Sequence, residues 1–137
     1  MKKLLTLALT LLLTLTLALT TACEKEPLVI KESDEYVVIK VETDKTDLTL
    51  ANYMASLEEY KNMFTIKNGM VTAINGIENA ADWSACWMLY TDDYSEENST
   101  SAFTIEYKDK TYNSANYGAE SLTIKDGCSY IWIYQSF

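Results

Sequence analysis

The residues best suited to chemistry in this 137-residue chain are aromatic and lie close together in sequence. Trp83 and Trp87 flank Cys86, and Tyr90 follows in the same apolar run. Such rings either fill the core and surface of a sheet, because aromatic residues favour strands, or form an exposed patch that binds a flat apolar ring or another protein. The wider aromatic set open to both interpretations is Trp83, Trp87, Tyr90, Tyr94, Tyr117, Trp132 and Tyr134.

Catalysis is poorly supported by the residue types present. The chain has no histidine, so it lacks a Cys–His or Ser–His pair, an imidazole metal ligand and an ordinary general base near neutral pH. Paired carboxylates or Ser–Lys chemistry would need a recognisable spacing, and the sequence displays none. We therefore predict a protein that is not an enzyme and has no catalytic residues.

An acidic run over residues 91–98 raises the question of calcium. Asp92, Asp93, Glu96 and Glu97 supply hard oxygen ligands. Their spacing and the missing glycine do not match the twelve-residue calcium loop, however. The run is predicted to be a solvated loop, and no metal site is predicted.

Two cysteines, Cys86 and Cys128, lie in the body of the chain. In an exported protein such a pair suggests a disulfide. The alternative is two separate buried thiols that behave as small apolar residues. The sequence leaves both open.

The N-terminus has the order of charge, apolar run and small residues that is typical of a secretion signal. Two lysines precede the apolar run, and residues 20–22 end it just before Cys23. This junction resembles a bacterial lipoprotein signal, in which the cysteine is lipidated and becomes the mature N-terminus. We predict a signal peptide over residues 1–22 and an exported protein, lipid-anchored at Cys23 to the outer face of the cell membrane. An ordinary secreted protein with a leftover cysteine is the alternative.

The net charge excludes two classes of partner. It is −9 for the whole chain and −11 without the leader, which holds two lysines and no acid. The chain contains no arginine. Because nucleic-acid surfaces and anionic-lipid sites need clustered basic residues, neither partner is expected. The only membrane contact predicted is the lipid anchor.

One domain follows a short tether. Residues 23–35 are predicted to be the lipidated cysteine and an acidic tether, and residues 36–137 the folded domain. Period-two alternation predicts a strand over residues 36–42, and helical spacing predicts a helix over 48–60, capped by Thr46 or Asp47. A run of strands follows, with tight hairpins at the Asn-Gly and Lys-Asp-Lys links. This order predicts an α+β, β-grasp-like domain with one helix packed on a mixed sheet of about five or six strands.

The last strand, residues 130–134, has two different sides. Ile131 and Ile133 point one way, and Tyr130, Trp132 and Tyr134 point the other. The aliphatic side is expected to face the helix. The aromatic side would then meet solvent, a loop or a ligand.

Motifs spread along residues 36–137 resemble the transcobalamin-like C-terminal domain family of bacterial surface proteins. They are Gly69-Met70-Val71, Ile74-Asn75-Gly76, Trp87-Met88-Leu89-Tyr90, and Gly118 followed by Leu122, Ile124, Asp126 and Gly127. In family members of the vitamin-carrier type this domain covers one face of cobalamin. The resemblance implies ligand contacts from Trp87, Leu89, Tyr90, Tyr117 and Gly118.

These observations predict a cell-surface lipoprotein whose domain binds a small ligand and passes it to a transporter or another surface protein. Cobalamin or another corrinoid is the candidate ligand, and no other cofactor is expected. The alternative is a non-catalytic module that docks to another surface protein through its aromatic sheet face or a free edge strand.

Overall fold

The computed structural model describes residues 25–45 and 47–137. The predicted signal peptide, Cys23 and Thr46 lie outside these ranges. Among the described residues, no helix is both long and apolar enough to cross a bilayer.

Within the described residues, nine strands and one short helix form the domain. In chain order the elements are β1 (Val29–Ser33), β2 (Tyr36–Lys40), α1 (Leu50–Ser56), β3 (Phe64–Lys67), β4 (Met70–Ile74), β5 (Ile77–Glu78), β6 (Ala85–Thr91), β7 (Ser99–Tyr107), β8 (Lys110–Ala115) and β9 (Ser129–Ser136). Six of the strands form one sheet in the order β1-β2-β9-β6-β8-β7, with every neighbouring pair antiparallel. The other three form a smaller antiparallel sheet in the order β3-β4-β5.

Helix α1 and the smaller sheet cover one face of the larger sheet. The Thr49 hydroxyl caps the helix by accepting a hydrogen bond from the Asn52 N–H at 3.3 Å. The helix ends at Ser56 rather than near residue 60 because the chain then enters tight turns. The Leu57 N–H donates to the Met54 carbonyl, and the Tyr60 N–H to the Leu57 carbonyl. The predicted 48–60 helix was therefore too long at both ends.

The prediction for the two faces of β9 was wrong, because the aromatic face and not the aliphatic face packs against the helix. Tyr130 and Trp132 lie in the main core with Leu50 and Met54 of the helix. Ile131 instead lies in a second core on the other face, which also contains Val38, Tyr90 and Tyr112. The aliphatic face needs no helix because the β7–β8 hairpin curls over it and supplies its apolar cover.

The curl of the larger sheet brings its two edges together. The Tyr36 ring on β2 and the Tyr107 ring on β7 have centroids 5.7 Å apart, although three strands separate β2 from β7 in the sheet order. The Tyr107 hydroxyl also donates a hydrogen bond to Glu32 on β1.

The α+β, β-grasp-like prediction was wrong. The domain is mostly β, with a six-stranded antiparallel sheet, a separate three-stranded sheet and a helix of only seven residues. Both sheets are antiparallel rather than mixed. Hairpin links make four of the pairs, β1–β2, β3–β4, β4–β5 and β7–β8, and longer connections make the other three, β2–β9, β9–β6 and β6–β8. The larger sheet alone has six strands, as many as the prediction gave to the whole domain.

The predicted hairpins are confirmed. Asn68 and Gly69 have φ values of 50° and 79°, and Lys108 and Asp109 have values of 48° and 59°. Positive φ at both central residues is the geometry that suits the twist of two-residue hairpin turns. These turns join β3 to β4 and β7 to β8.

The predicted tether contains a strand. β1 pairs with β2 along most of its length, and Val29 is buried in the main core. The folded domain therefore begins at Val29, seven residues earlier than predicted. Mixed polar residues concealed this strand because most of it lies at the sheet edge and is exposed.

Candidate functional site

A cleft of about 300 Å³ opens between the smaller sheet, the start of β6 and the segment that follows β8. Its lining is aromatic and apolar with a few neutral polar groups, and it includes no charged side chain. The cleft is lined by Met70, Val71, Asn79, Trp83, Cys86, Trp87, Met88, Leu89, Ala115, Asn116, Tyr117, Gly118 and Trp132.

The cleft exists because the larger sheet splits beside β6. Strand β9 pairs with β6 along its whole length, whereas β8 pairs with it only at Tyr90 and Thr91. Asn79 supports the open part of β6. Its side-chain oxygen accepts a hydrogen bond from the backbone N–H of Trp87 at 2.8 Å. Its side-chain amide group donates to the Val71 carbonyl at 3.0 Å. Asn79 therefore fixes the distance between the smaller sheet and β6.

All three tryptophans of the chain line this cleft. Trp87 is buried, and its indole N–H donates to the Ile77 carbonyl at 2.8 Å. Its ring also packs against Tyr134 with centroids 5.4 Å apart. Trp132 is buried on the neighbouring strand, while Trp83 is 54% exposed. Two rings thus form a fixed wall, and the third lies at the mouth.

Trp83 has an unfavourable backbone conformation. Its φ is +61°, in the left-handed region where a bulky residue with a Cβ is strained. The Trp83 N–H bonds to the Ala80 carbonyl, and the Asp82 carboxylate accepts hydrogen bonds from the Ser84 N–H and hydroxyl. These contacts hold the loop in a shape that presents the ring. Strain of this kind is concentrated at functional sites in proteins.

The opposite rim is formed by Tyr117 and Gly118. Tyr117 is 50% exposed, and Met70 on the facing hairpin is also exposed. The Gly118 backbone lies against the β3–β4 turn, so a Cβ at this position would meet the Gly69 carbonyl oxygen at 2.6 Å. Gly118 therefore sets the position of the hairpin that carries Met70.

The structure brings together four of the five predicted ligand contacts. Trp87, Leu89, Tyr117 and Gly118 all line the cleft. Tyr90 does not, because alternate residues of a strand point to opposite faces and Tyr90 lies in the second core. Its hydroxyl donates to the Gln135 side chain at 2.8 Å. Tyr90 is therefore a residue of the fold rather than of the cleft.

The site prediction omitted Trp83, Trp132, Met70 and Asn79. The two tryptophans belonged to the aromatic set, and a site prediction that included every tryptophan of the chain would have found them. Asn79 carried no comparable signal, and Met70 was noted only as part of the Gly69-Met70-Val71 motif. They reach the cleft through the pairing of the smaller sheet, which the sequence does not specify.

Cys86 and Cys128 are free thiols in the structure, which agrees with the alternative of two separate thiols rather than with a disulfide. Cys86 pairs with Gln135 across the sheet, and Cys128 lies seven residues before Gln135 along the chain. At ~3.3 Å per strand residue, the two Cα atoms are on the order of 20 Å apart, well beyond the ~4.4–6.8 Å of a disulfide. Burial raises the pKa of both thiols, and the charges of Asp92 and Asp93 help raise that of Cys128 to about 11.

The acidic run is only partly the solvated loop that was predicted. Asp92 and Asp93 are buried, and both carboxylates have protein partners. Asp92 accepts hydrogen bonds from Lys110 at 2.6 Å and from the Ser129 N–H at 2.7 Å. Asp93 accepts from the Asn98 amide at 2.8 Å and from the Ser95 N–H at 3.1 Å. Across the described residues, no cluster of three or more acidic, cysteine or histidine side chains could hold a metal ion.

Comparisons with protein-family models, curated proteins and solved structures find no match to this chain. The resemblance to the transcobalamin-like family therefore stays a prediction based on short motifs.

Proposed function

We propose that this protein is a non-catalytic, cell-surface binding protein that holds a small, flat, apolar ring compound in its tryptophan-lined cleft. The observation that carries the proposal is that all three tryptophans line one uncharged cleft. Two of them are fixed by burial, and the third is held in a strained backbone conformation at the mouth. Ligand pockets are typically apolar and aromatic with a few convergent polar groups.

The size of the cleft limits the ligand. About 300 Å³ lies at the small end of the ~300–1,000 Å³ range of ligand pockets. A compact system of two or three fused rings would fit inside it. A corrinoid, the candidate implied by the family resemblance, is larger and could insert only one edge of its ring. Corrinoids are therefore tested beside smaller rings rather than assumed.

The position of the cleft suits a protein anchored at Cys23. The first described residues lead into β1 at Val29, which lies in the same row of the sheet as Ile39, Tyr130 and Thr91. Trp87 lies four residues from that row, about 13 Å along the strands. A lipid anchor attached before β1 would leave the cleft toward the far end of the domain, accessible from outside the cell.

The test is a calorimetric titration of the chain carrying Cys23→Ser, which keeps every described residue and has no lipid. Cobinamide, cobalamin and naphthalene are titrated separately. We expect micromolar binding of at least one of them and its loss in Trp83→Ala. Phe103→Ala is the matched control, because Phe103 is also an exposed aromatic residue but lies outside the cleft. No heat with any of the three compounds would contradict the proposal.

A second candidate function is docking of another surface protein. The half-exposed ring of side chains around the cleft, formed by Met70, Trp83 and Tyr117, could also accept an aromatic side chain of a partner. A small-ligand protein keeps its affinity as an isolated monomer. A docking module would bind none of the three compounds and would instead retain a surface protein that Trp83→Ala releases.

A further inference from the structure

The indole N–H of Trp132 is buried and has no hydrogen-bond partner. Within the described part of the chain, it is the only buried side-chain nitrogen or oxygen in this condition. Trp132 is 3% exposed, lies on β9 between Val37 and Leu89 of the adjacent strands, and lines the cleft. Because an unpaired buried donor is costly, a native structure that keeps one needs an explanation.

Trp87 provides an internal comparison. Its indole is buried in the same cleft, and its N–H is satisfied by the Ile77 carbonyl at 2.8 Å. The fold can therefore supply a backbone acceptor to a cleft tryptophan. At Trp132 it supplies none. The indole ring lines the cleft, and because the N–H itself has almost no accessible surface, the ring must shift slightly for a ligand to reach it.

We propose that the Trp132 indole N–H is the specificity-determining donor of the cleft, and that the ligand is a neutral flat ring bearing a hydrogen-bond acceptor. A ring nitrogen or a carbonyl oxygen would serve. This inference rests on the proposed function, since it names the chemical class of ligand for the same cleft. A site with a buried donor rejects analogues that lack the matching group, because the donor is then left unpaired.

The electrostatics of the cleft favour a neutral ligand. No lysine or acidic side chain lines it, so neither an anion nor a cation would find a countercharge. The whole chain carries a net charge of −9, which further disfavours an anion. A cation would also be repelled by the positive end of the indole N–H dipole. A neutral acceptor is the group that this donor can bind without burying a charge.

Naphthalene and quinoline form a matched pair of probes for this donor. The two bicyclic rings have nearly the same size, and quinoline differs by one ring nitrogen that accepts a hydrogen bond. Affinities are measured by tryptophan fluorescence on the Cys23→Ser chain, at a mildly alkaline pH where quinoline is uncharged. The informative quantity is the ratio of quinoline to naphthalene affinity, because the different hydration of the two probes cancels when variants are compared.

Trp132→Phe keeps an aromatic ring and removes the donor. We expect it to lower the affinity ratio about tenfold, as for the loss of one well-formed hydrogen bond. Phe103→Ala is the control and should leave the ratio unchanged, because Phe103 is exposed and lies outside the cleft. An unchanged ratio in Trp132→Phe would overturn the inference while leaving the proposed function intact. Failure of the unsubstituted chain to bind either probe would overturn both.

A second measurement does not depend on the folding of Trp132→Phe. The three tryptophans give three indole N–H signals in a nitrogen-15 NMR spectrum. We expect quinoline, and not naphthalene, to move the Trp132 indole proton strongly downfield, as a new hydrogen bond would. A Trp132 signal that responds equally to both probes would contradict the proposed donor.

Discussion

The backbone of Gly118 lies so close to that of Gly69 that a Cβ on Gly118 would be 2.6 Å from the Gly69 carbonyl oxygen. Real Cβ atoms essentially never make so short a contact, and a backbone oxygen cannot rotate away as a side chain can. The two glycines thereby join the rim of the cleft to the turn of the smaller sheet. This contact makes the shape of the cleft sensitive to one methyl group.

We expect Gly118→Ala to destabilise the domain by about 1–3 kcal/mol, because the β3–β4 hairpin must move to admit the methyl group. The free energy of unfolding is measured in denaturant, and ligand affinity on the same sample. Gly76→Ala is the control. Gly76 has a φ of +80° but open space around it, so its substitution carries backbone strain without moving the cleft wall. Equal affinity loss in both variants would show that the Gly118 contact does not shape the cleft.

Replacing Trp83 by glycine should separate stability from binding. Glycine adopts a φ of +61° without strain, so we expect Trp83→Gly to raise the free energy of unfolding by about 0.5–1 kcal/mol while abolishing ligand binding. Trp83→Ala removes the same ring and keeps the strain, so it should gain no such stability. Thermal and denaturant unfolding report the difference. A clear loss of stability in Trp83→Gly would mean that the ring holds the fold together.

The two buried tryptophans should respond differently to loss of their N–H groups. Trp87→Phe leaves the Ile77 carbonyl without its donor, whereas Trp132→Phe leaves no acceptor unpaired. We expect Trp87→Phe to cost about 1–3 kcal/mol more than Trp132→Phe in the absence of ligand. Denaturant unfolding of both variants measures this difference. Equal losses would indicate that the Trp132 N–H has a partner in solution.

Asp93 should make the stability of the domain depend on pH in the acidic range. Burial alone would raise its pKa, but hydrogen bonds from Asn98 and Ser95 outweigh burial and lower the pKa below the ordinary 3.8. The group therefore contributes stability that is fully present above the unfolded value. This contribution is lost as the pH falls through the lower folded pKa.

Asn98→Ala removes one of these hydrogen bonds. We expect it to cost about 1.5–3 kcal/mol at neutral pH, the range for a hydrogen bond to a charged group, with a smaller difference from the unsubstituted chain below the folded pKa. Ser84→Ala is the control, because Ser84 lowers the pKa of the exposed Asp82 in the same way. It should leave the pH profile of stability nearly unchanged. If Asn98→Ala lowered the free energy of unfolding as much in acid as at neutral pH, the role of the ionised Asp93 carboxylate would be contradicted.

The protein should contain Cys86 and Cys128 as free thiols. Their separation of roughly 20 Å along the sheet prevents a disulfide. Alkylation in denaturant, without reductant, should add two groups at these positions, as counted by mass spectrometry. In the native protein at neutral pH both should react slowly, because burial raises their pKa values. A bond between Cys86 and Cys128 would require a different strand register.

Local sequence patterns predicted much of the sheet because hairpin turns and strand alternation are local properties. The Asn68-Gly69 turn and strands such as β2 and β6 could be predicted from neighbouring residues alone. The division into two sheets could not, because a hairpin sequence does not specify which strands it joins. For the same reason the cover on each face of β9 was assigned the wrong way round. That assignment depended on the curl of the β7–β8 hairpin.

The candidate site was predictable in kind and not in arrangement. Trp87 and Leu89 share one face of β6, so their common location followed from strand periodicity. Tyr90, which the family resemblance had included, lies instead in the second core. The unpartnered N–H of Trp132 depends on the absence of nearby acceptors from other strands. No local pattern encodes that absence.

If the protein is held at Cys23 as proposed, the place of β1 in the sheet has a mechanical consequence. The strand is entered at Val29 and runs toward the end of the domain where the cleft lies, and its hydrogen bonds to β2 cross that direction. A pull between the anchor and a partner at the cleft would act along the strand. It would load all the hydrogen bonds between β1 and β2 at the same time, in shear. The domain would therefore resist tearing from its anchor, whereas the same edge strand pulled sideways would unzip one hydrogen bond at a time.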